Sequence, residues 1–212
     1  MLDGVMREKS LSDIAYAKIK EKLMRGDFSE QNNYTSQNQL VDELQMSRTP
    51  IIGALQRLQY EGFVKIISNQ GIVIQDITVK EMIDFFDARL AIELFSIKKA
   101  ISMMTEDDFC NLKAIIERQK ENYKDYFAWV QLDADFHQYL LEIPGNSVFI
   151  HMMNNVSERL FFSVSTRLKN NDRIQRFTDE HIQIIEHLRQ GDLAQVLQVL
   201  EYHIESGKIA LI

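Results

Sequence analysis

The chain has 212 residues, 45% of them apolar and 26% charged, and a net charge of −7, a globular composition with enough length for one large core or two smaller ones. No apolar run approaches the roughly 20 residues that span a bilayer, and no basic-then-apolar leader opens the sequence. The lone Cys110 can form no internal disulfide, so a disulfide scaffold is excluded and a reducing cytoplasm fits.

The acidity is uneven. Residues 1–76 carry nine Lys and Arg against ten Asp and Glu, whereas residues 77–212 carry fifteen against twenty-one. A phosphate-binding surface wants positive charge, so any nucleic-acid role belongs to the nearly neutral first part. Two prolines and eight glycines in the whole chain favour long helices over a many-stranded sheet.

In chain order, Leu11, Ala15, Ile19 and Leu23 recur every four residues and predict a helix that Gly26 ends as a C-cap. Ser36 and Gln39 form a capping box for a second helix, with Leu40, Val41 and Leu44 behind it. Ser47 is placed as the N-cap of a third, with Pro50 in its first turn and Leu55 and Leu58 continuing the apolar face to Gly62. Phe63–Ile67 and Ile72–Ile74 then flank Ser68-Asn69-Gln70-Gly71 as a β-hairpin. Three helices and a hairpin predict a winged helix-turn-helix, although a small α+β domain with no DNA role has the same pattern.

From Val79 the pattern becomes helix after helix with no convincing strand. Val79 to Met104 reads as one helix, and Thr105 caps the next, with Glu106, Asp107 and Asp108 well placed for the helix dipole. Further helices are predicted from Tyr126 to Glu142, Ser147 to Leu168, Asp172 to Arg189 and Leu193 to Ala210. The expected organisation is therefore mainly α: a winged helix-turn-helix over residues 1–76, then an all-helical antiparallel bundle over residues 77–212.

The bundle places polar side chains where its helices need apolar ones. Asp133 and His137 interrupt the stripe of Trp129, Val130, Phe136, Leu140 and Leu141, four residues apart on one face. His181 shares a face with Ile184, Ile185 and Leu188, and His203 follows Val196, Val199 and Leu200. Burying four such groups separately is costly, whereas a divalent metal at a common centre satisfies all of them. The spacing leaves open separate core histidines and a simple Asp133–His137 polar pair. Arg89, between Phe85, Phe86 and Ile92, either forks onto a ligand carboxylate or pairs with Glu93. His151 and His187 read as surface or boundary residues, and Cys110 as structural.

These residues resemble a known family. Leu40-Val41-Asp42-Glu43-Leu44, Met46-Ser47-Arg48-Thr49-Pro50, Ala54-Leu55-Gln56-Arg57-Leu58, Glu61-Gly62 and Gly71 are similar to the DNA-binding domain of the GntR family. Asp87-Ala88-Arg89 with Glu93, Asp133-x-x-Phe136-His137, Gly145-Asn146, Glu180-His181, Gly191-Asp192 and His203 resemble the FCD effector domain of its FadR-type branch. The resemblance implies a homodimer that reads a short palindrome in double-stranded DNA. It further implies a zinc or nickel ion on Asp133, His137, His181 and His203, with a small organic or sugar acid bound beside it and near Arg89. Ser47, Arg48, Thr49 and Arg57, with Asn69, Gln70 and Gly71 of the wing, are the expected DNA contacts. The chain departs from the family pattern at Ile52-Gly53, where arginine and glutamate are usual, and at Glu30-Gln31, where Pro-Gly is usual. That arginine helps contact DNA, so its absence bears on affinity and operator sequence.

The expected function is thus a metal-containing, ligand-responsive transcription regulator, with repression the expected direction. Two rivals remain: a regulator without sequence-specific DNA binding that acts through protein partners, and a metal-dependent hydrolase. Against the hydrolase, no convincing carboxylate base stands beside the predicted ligands.

Overall fold

The computed structural model describes residues 10–28, 33–68, 70–167 and 171–211, with side chains other than those of 164–167, 171–172 and 211. Asn69, Glu30-Gln31 and Leu168, all invoked above, lie outside the described residues. The chain divides into two compact units, Met1–Asp76 and Ile77–Ile212.

In the first unit, Ser10 opens α1 (Leu11–Arg25) through a capping box with Asp13, and Gly26 closes it in the left-handed region at φ 75°. Ala15, Ile19 and Leu23 are buried, as their four-residue spacing requires. The strand β1 (Tyr34–Thr35) leads into α2 (Gln37–Leu44), where Ser36 and Gln39 make the expected capping box. A left-handed Gln45, φ 53°, turns the chain toward α3 (Arg48–Tyr60). Ser47 occupies the N-cap of α3, but its side chain makes no capping hydrogen bond. The N3 donor of the usual cap is missing, because Pro50 has no N–H, and the Thr49 N–H is not taken up in its place. Ile51, Ala54, Leu55 and Leu58 are buried, and α3 packs on α1 and α2.

The hairpin of β2 (Val64–Ile67) and β3 (Gly71–Ile74) pairs antiparallel with Val64 opposite Ile74 and Ile67 opposite Gly71. The two-residue β1 adds to the other edge of β3, Tyr34 opposite Val73, giving the order β1-β3-β2. Two residues carry no readable alternation, so sequence pattern did not reveal this strand. It fixes the wing nonetheless. The Tyr34 hydroxyl donates to the Gln70 carbonyl. Its ring lies where a Cβ on Gly71, at φ 129°, would have to go.

The second unit comprises α4 (Val79–Ala100), α5 (Glu106–Glu121), α6 (Tyr126–Glu142), α7 (Ser147–Arg167), α8 (Asn171–Gln190) and α9 (Leu193–Leu211). Helix α4 stops at Ala100 rather than running to Met104. The Ala100 carbonyl accepts from both Met103 and Met104 in a tight turn. Thr105 is then extended, accepts from the Asp108 amide and starts α5. Helix α4 lies against α6, α7 and α9, while α5 contacts α6 and α8, and α8 contacts α9. Met82, Phe86, Ile97, Leu112, Phe136, Leu141, Met153, Ile184, Val196 and Leu200 form one apolar core among these helices. Each such side chain contributes about 1.5–3 kcal/mol on leaving water. Among the described residues this unit contains no strand, and no helix is long and apolar enough to cross a membrane.

Candidate metal centre and DNA-binding face

Within that apolar core, five helices direct polar side chains to one point. Asp133 and His137 come from α6, His181 from α8 and His203 from α9, and one donor atom of each lies within 4.8 Å of the others. His137, His181 and His203 are 2%, 0% and 5% exposed, so water solvates none of them.

The ring nitrogens divide into an outer and an inner set. His137 Nδ1 is 2.6 Å from Glu93 Oε2, His203 Nδ1 is 2.8 Å from Glu180 Oε2, and His181 Nδ1 is 3.1 Å from Gln119 Oε1. Each oxygen accepts, so each Nδ1–H donates and each Nε2 is left with a bare lone pair. Burial would raise the Glu93 carboxyl, but His137 and Arg89 beside it outweigh that and hold it at about 2. Burial lowers His137, with the Arg89 charge adding to it. Burial likewise holds His181 well below its ordinary value, helped by His203, His137 and Arg89.

The three Nε2 atoms form a triangle with edges of 3.1, 3.2 and 3.3 Å. Three lone pairs facing one another without a proton between them repel. Nitrogens bonded at about 2.0–2.1 Å to a shared ion have edges of this length. Asp133 Oδ1 lies 3.4 Å from His181 Nε2, 3.9 Å from His137 Nε2 and 4.0 Å from His203 Nε2, completing a set that could hold a divalent cation. Phe136 stacks on His181 with ring centroids 4.1 Å apart and keeps that face dry.

Arg89 makes the expected pair with Glu93, Nε to Oε1 2.7 Å, but this uses only part of its fork. Nη2 reaches 3.8 Å from Asp133 Oδ2 and is buried with no hydrogen-bond partner among the described residues. The absence of a carboxylate beside the predicted ligands needs correction: Glu93 and Glu180 both stand there, each engaged by the outer nitrogen of a histidine. The sequence offers Glu93 as a partner for Arg89 and as part of the FCD resemblance, whereas Gln119 carries no signal, because its role depends on how α5 packs against α8. His151 is exposed and His187 half-buried, both away from this cluster, and Cys110 is exposed rather than part of the core.

In the first unit, Arg48, Thr49, Ile52 and Gln56 are exposed along one side of α3, and Arg48 Nη2 reaches Asn38 Oδ1 of α2 at 3.4 Å. Ser47, Gln70 and Gly71 flank this helix at its start and in the wing, Ser47 and Gln70 exposed. The structure does not bring Arg57 into this group. It lies about half a turn around α3 from Arg48, stacked on the Tyr16 ring at 3.6 Å and paired with Glu61 at 3.0 Å.

Residues 84–206 match the FCD domain, and residues 11–74 match the gntR family of bacterial regulatory proteins. The chain belongs to the GntR family, with an FCD domain following its winged helix-turn-helix. Relatives of this GntR-family regulator include the Uxu operon regulator of Haemophilus influenzae, 23% identical and covering 91% of this chain and 79% of that one. The gluconate operon transcriptional repressor of Bacillus subtilis is 25% identical over 83% and 75%. The fold is that of E. coli McbR/YncC, TM-score 0.78 at 15% identity, covering 95% and 97% of the two chains. The family and these relatives are transcription regulators, not enzymes.

Proposed function

We propose that this regulator is a ligand-responsive repressor that binds a short palindromic operator as a homodimer and holds a divalent ion, zinc or nickel, on Asp133, His137, His181 and His203. The observation that carries the metal reading is the triangle of three buried Nε2 atoms 3.1–3.3 Å apart, with each ring's Nδ1 turned to an acceptor oxygen. When bound, such an ion supplies a Lewis-acidic position for an oxygen donor.

The effector we assign is a small organic or sugar acid. Arg89 Nη2 is a buried cationic donor without a hydrogen-bond partner among the described residues, 3.8 Å from Asp133 Oδ2, and a carboxylate is the group it would hold best. The gluconate operon repressor among the relatives makes a sugar acid the first class to test. A carboxylate there would tie Arg89 of α4 to the ligands on α6, α8 and α9. It acts only through a difference in affinity between two dimer states, read out as a changed spacing of the two α3 helices on DNA. Arg48, Thr49 and the wing residues Gln70 and Gly71 would make the contacts, with Ser47 at the helix start. Arg57 is assigned to holding α3 on α1.

The test is selection from a random duplex pool by the full metal-replete chain, with metal content read by mass spectrometry on wild type and His181→Ala. A palindrome and an ion that His181→Ala loses are expected. Recovery of no motif at low salt would overturn the DNA reading in favour of action through protein partners. Ion content unchanged in His181→Ala would overturn the metal assignment.

A further inference from the structure

The outward side of α3 sets an isoleucine among polar residues. With about 100° between successive residues of a helix, Arg48, Thr49, Ile52, Gln56 and Gln59 share one side of α3. Ile51, Ala54, Leu55 and Leu58 occupy the other, buried side. Ile52 falls in the middle of the polar group and is 41% exposed, while its neighbours Arg48, Thr49 and Gln56 are all exposed. Gln59 is committed to the wing, its Oε1 accepting from the Ile66 amide at 2.9 Å. The centre of the surface that would face a major groove is therefore an isoleucine flanked by polar side chains, the exposed Tyr60 lying about two turns further along the helix. Solvent exposure gives a β-branched side chain nothing there, and helix propensity would favour Ala or a straight-chain residue such as Gln, Glu, Lys or Arg.

Resting on the DNA-reading role proposed above, we infer that Ile52 is a specificity-determining residue that reads the C5-methyl group of thymine in each half-site. In the major groove, the thymine methyl is the one apolar feature a base pair presents, and apolar side chains recognise it by contact. Ile52 can make no hydrogen bond to a base edge, so this is the base feature its chemistry selects. Arg48 and Gln56 on either side are left to guanine and adenine edges.

The experiment starts from the operator recovered by the random-duplex selection. Each thymine is replaced in turn by deoxyuridine, which removes only the methyl group. Affinity for the full chain is then measured for wild type, Ile52→Ala and Ile52→Arg, with thermal melting to confirm folding. One symmetric position is expected at which deoxyuridine weakens wild-type binding by about fourfold per half-site, the worth of one methyl-sized burial. Ile52→Ala should lose that sensitivity. A repeat selection with Ile52→Arg should move the preferred base there from thymine toward guanine. Binding that ignores every deoxyuridine would overturn the inference, as would sensitivity that persists unchanged in Ile52→Ala. Recovery of no motif would overturn the DNA reading itself, a different and earlier failure.

Discussion

At the scale of single residues, Glu93 does two things at once. One oxygen accepts from His137 Nδ1 and the other from Arg89 Nε, so the same carboxylate sets the direction of a metal ligand and holds the cation beside it. Outer hydrogen bonds of this kind fix ring orientation and raise ligand basicity, and losing one costs about 10–100-fold in metal affinity. Glu93→Gln retains an acceptor but not the charge, and it should lower affinity within that range in a competition against a fluorescent chelator. His137→Ala should fall further, because it removes the ligand itself. Equal affinity in Glu93→Gln and wild type would show that the negative charge beside His137 contributes nothing to metal binding.

At the scale of elements, the close approach of α1 and α3 explains a residue that otherwise reads as a defect. Gly53 lies inside α3, where glycine costs roughly 0.5–1 kcal/mol relative to alanine. A Cβ there would sit 2.6 Å from Ser12 Oγ of α1. Gly53→Ala alone should therefore gain little stability in urea unfolding. Gly53→Ala in a Ser12→Ala background should recover about 0.5–1 kcal/mol, a non-additivity expected only of residues in contact. A full gain in the single variant would mean that Ser12 moves aside without cost.

What sequence pattern revealed follows from range. The helices, their Ser36 and Thr105 caps and the inward-facing histidines are set within four residues, and local periodicity carries them. The Glu180–His203 and Gln119–His181 hydrogen bonds span 23 and 62 residues, and the Gly53–Ser12 approach joins two helices. No local pattern encodes such partners. Arg57 shows the same limit: its position on α3 was readable, but its capture by Tyr16 of α1 was not.

At the scale of the molecule, a metal would act as a brace across the bundle. Its candidate ligands come from α6, α8 and α9, and their outer partners from α4, α5 and α8. Anything that binds only the folded state stabilises it, by about 2.7 kcal/mol at a hundredfold excess over Kd. For a chain of this size that shifts Tm by roughly 5–10 °C. Chelator treatment should lower the melting temperature by such an amount, and zinc or nickel should restore it, whereas magnesium, which prefers oxygen donors, should not. A melting curve indifferent to chelator would count against a resident ion.

The centre also has a history written into its interdependence. Substituting any one of Glu93, Gln119, Glu180 or the three histidines leaves a partner buried and unsatisfied, and a single orphan of this kind costs about 1–3 kcal/mol or more. A wholly apolar replacement would be stable, but it lies several simultaneous changes away, and each intermediate is less stable than either end. Exposed positions of the recognition helix can therefore change one residue at a time, whereas the histidines and their buried partners hold one another in place.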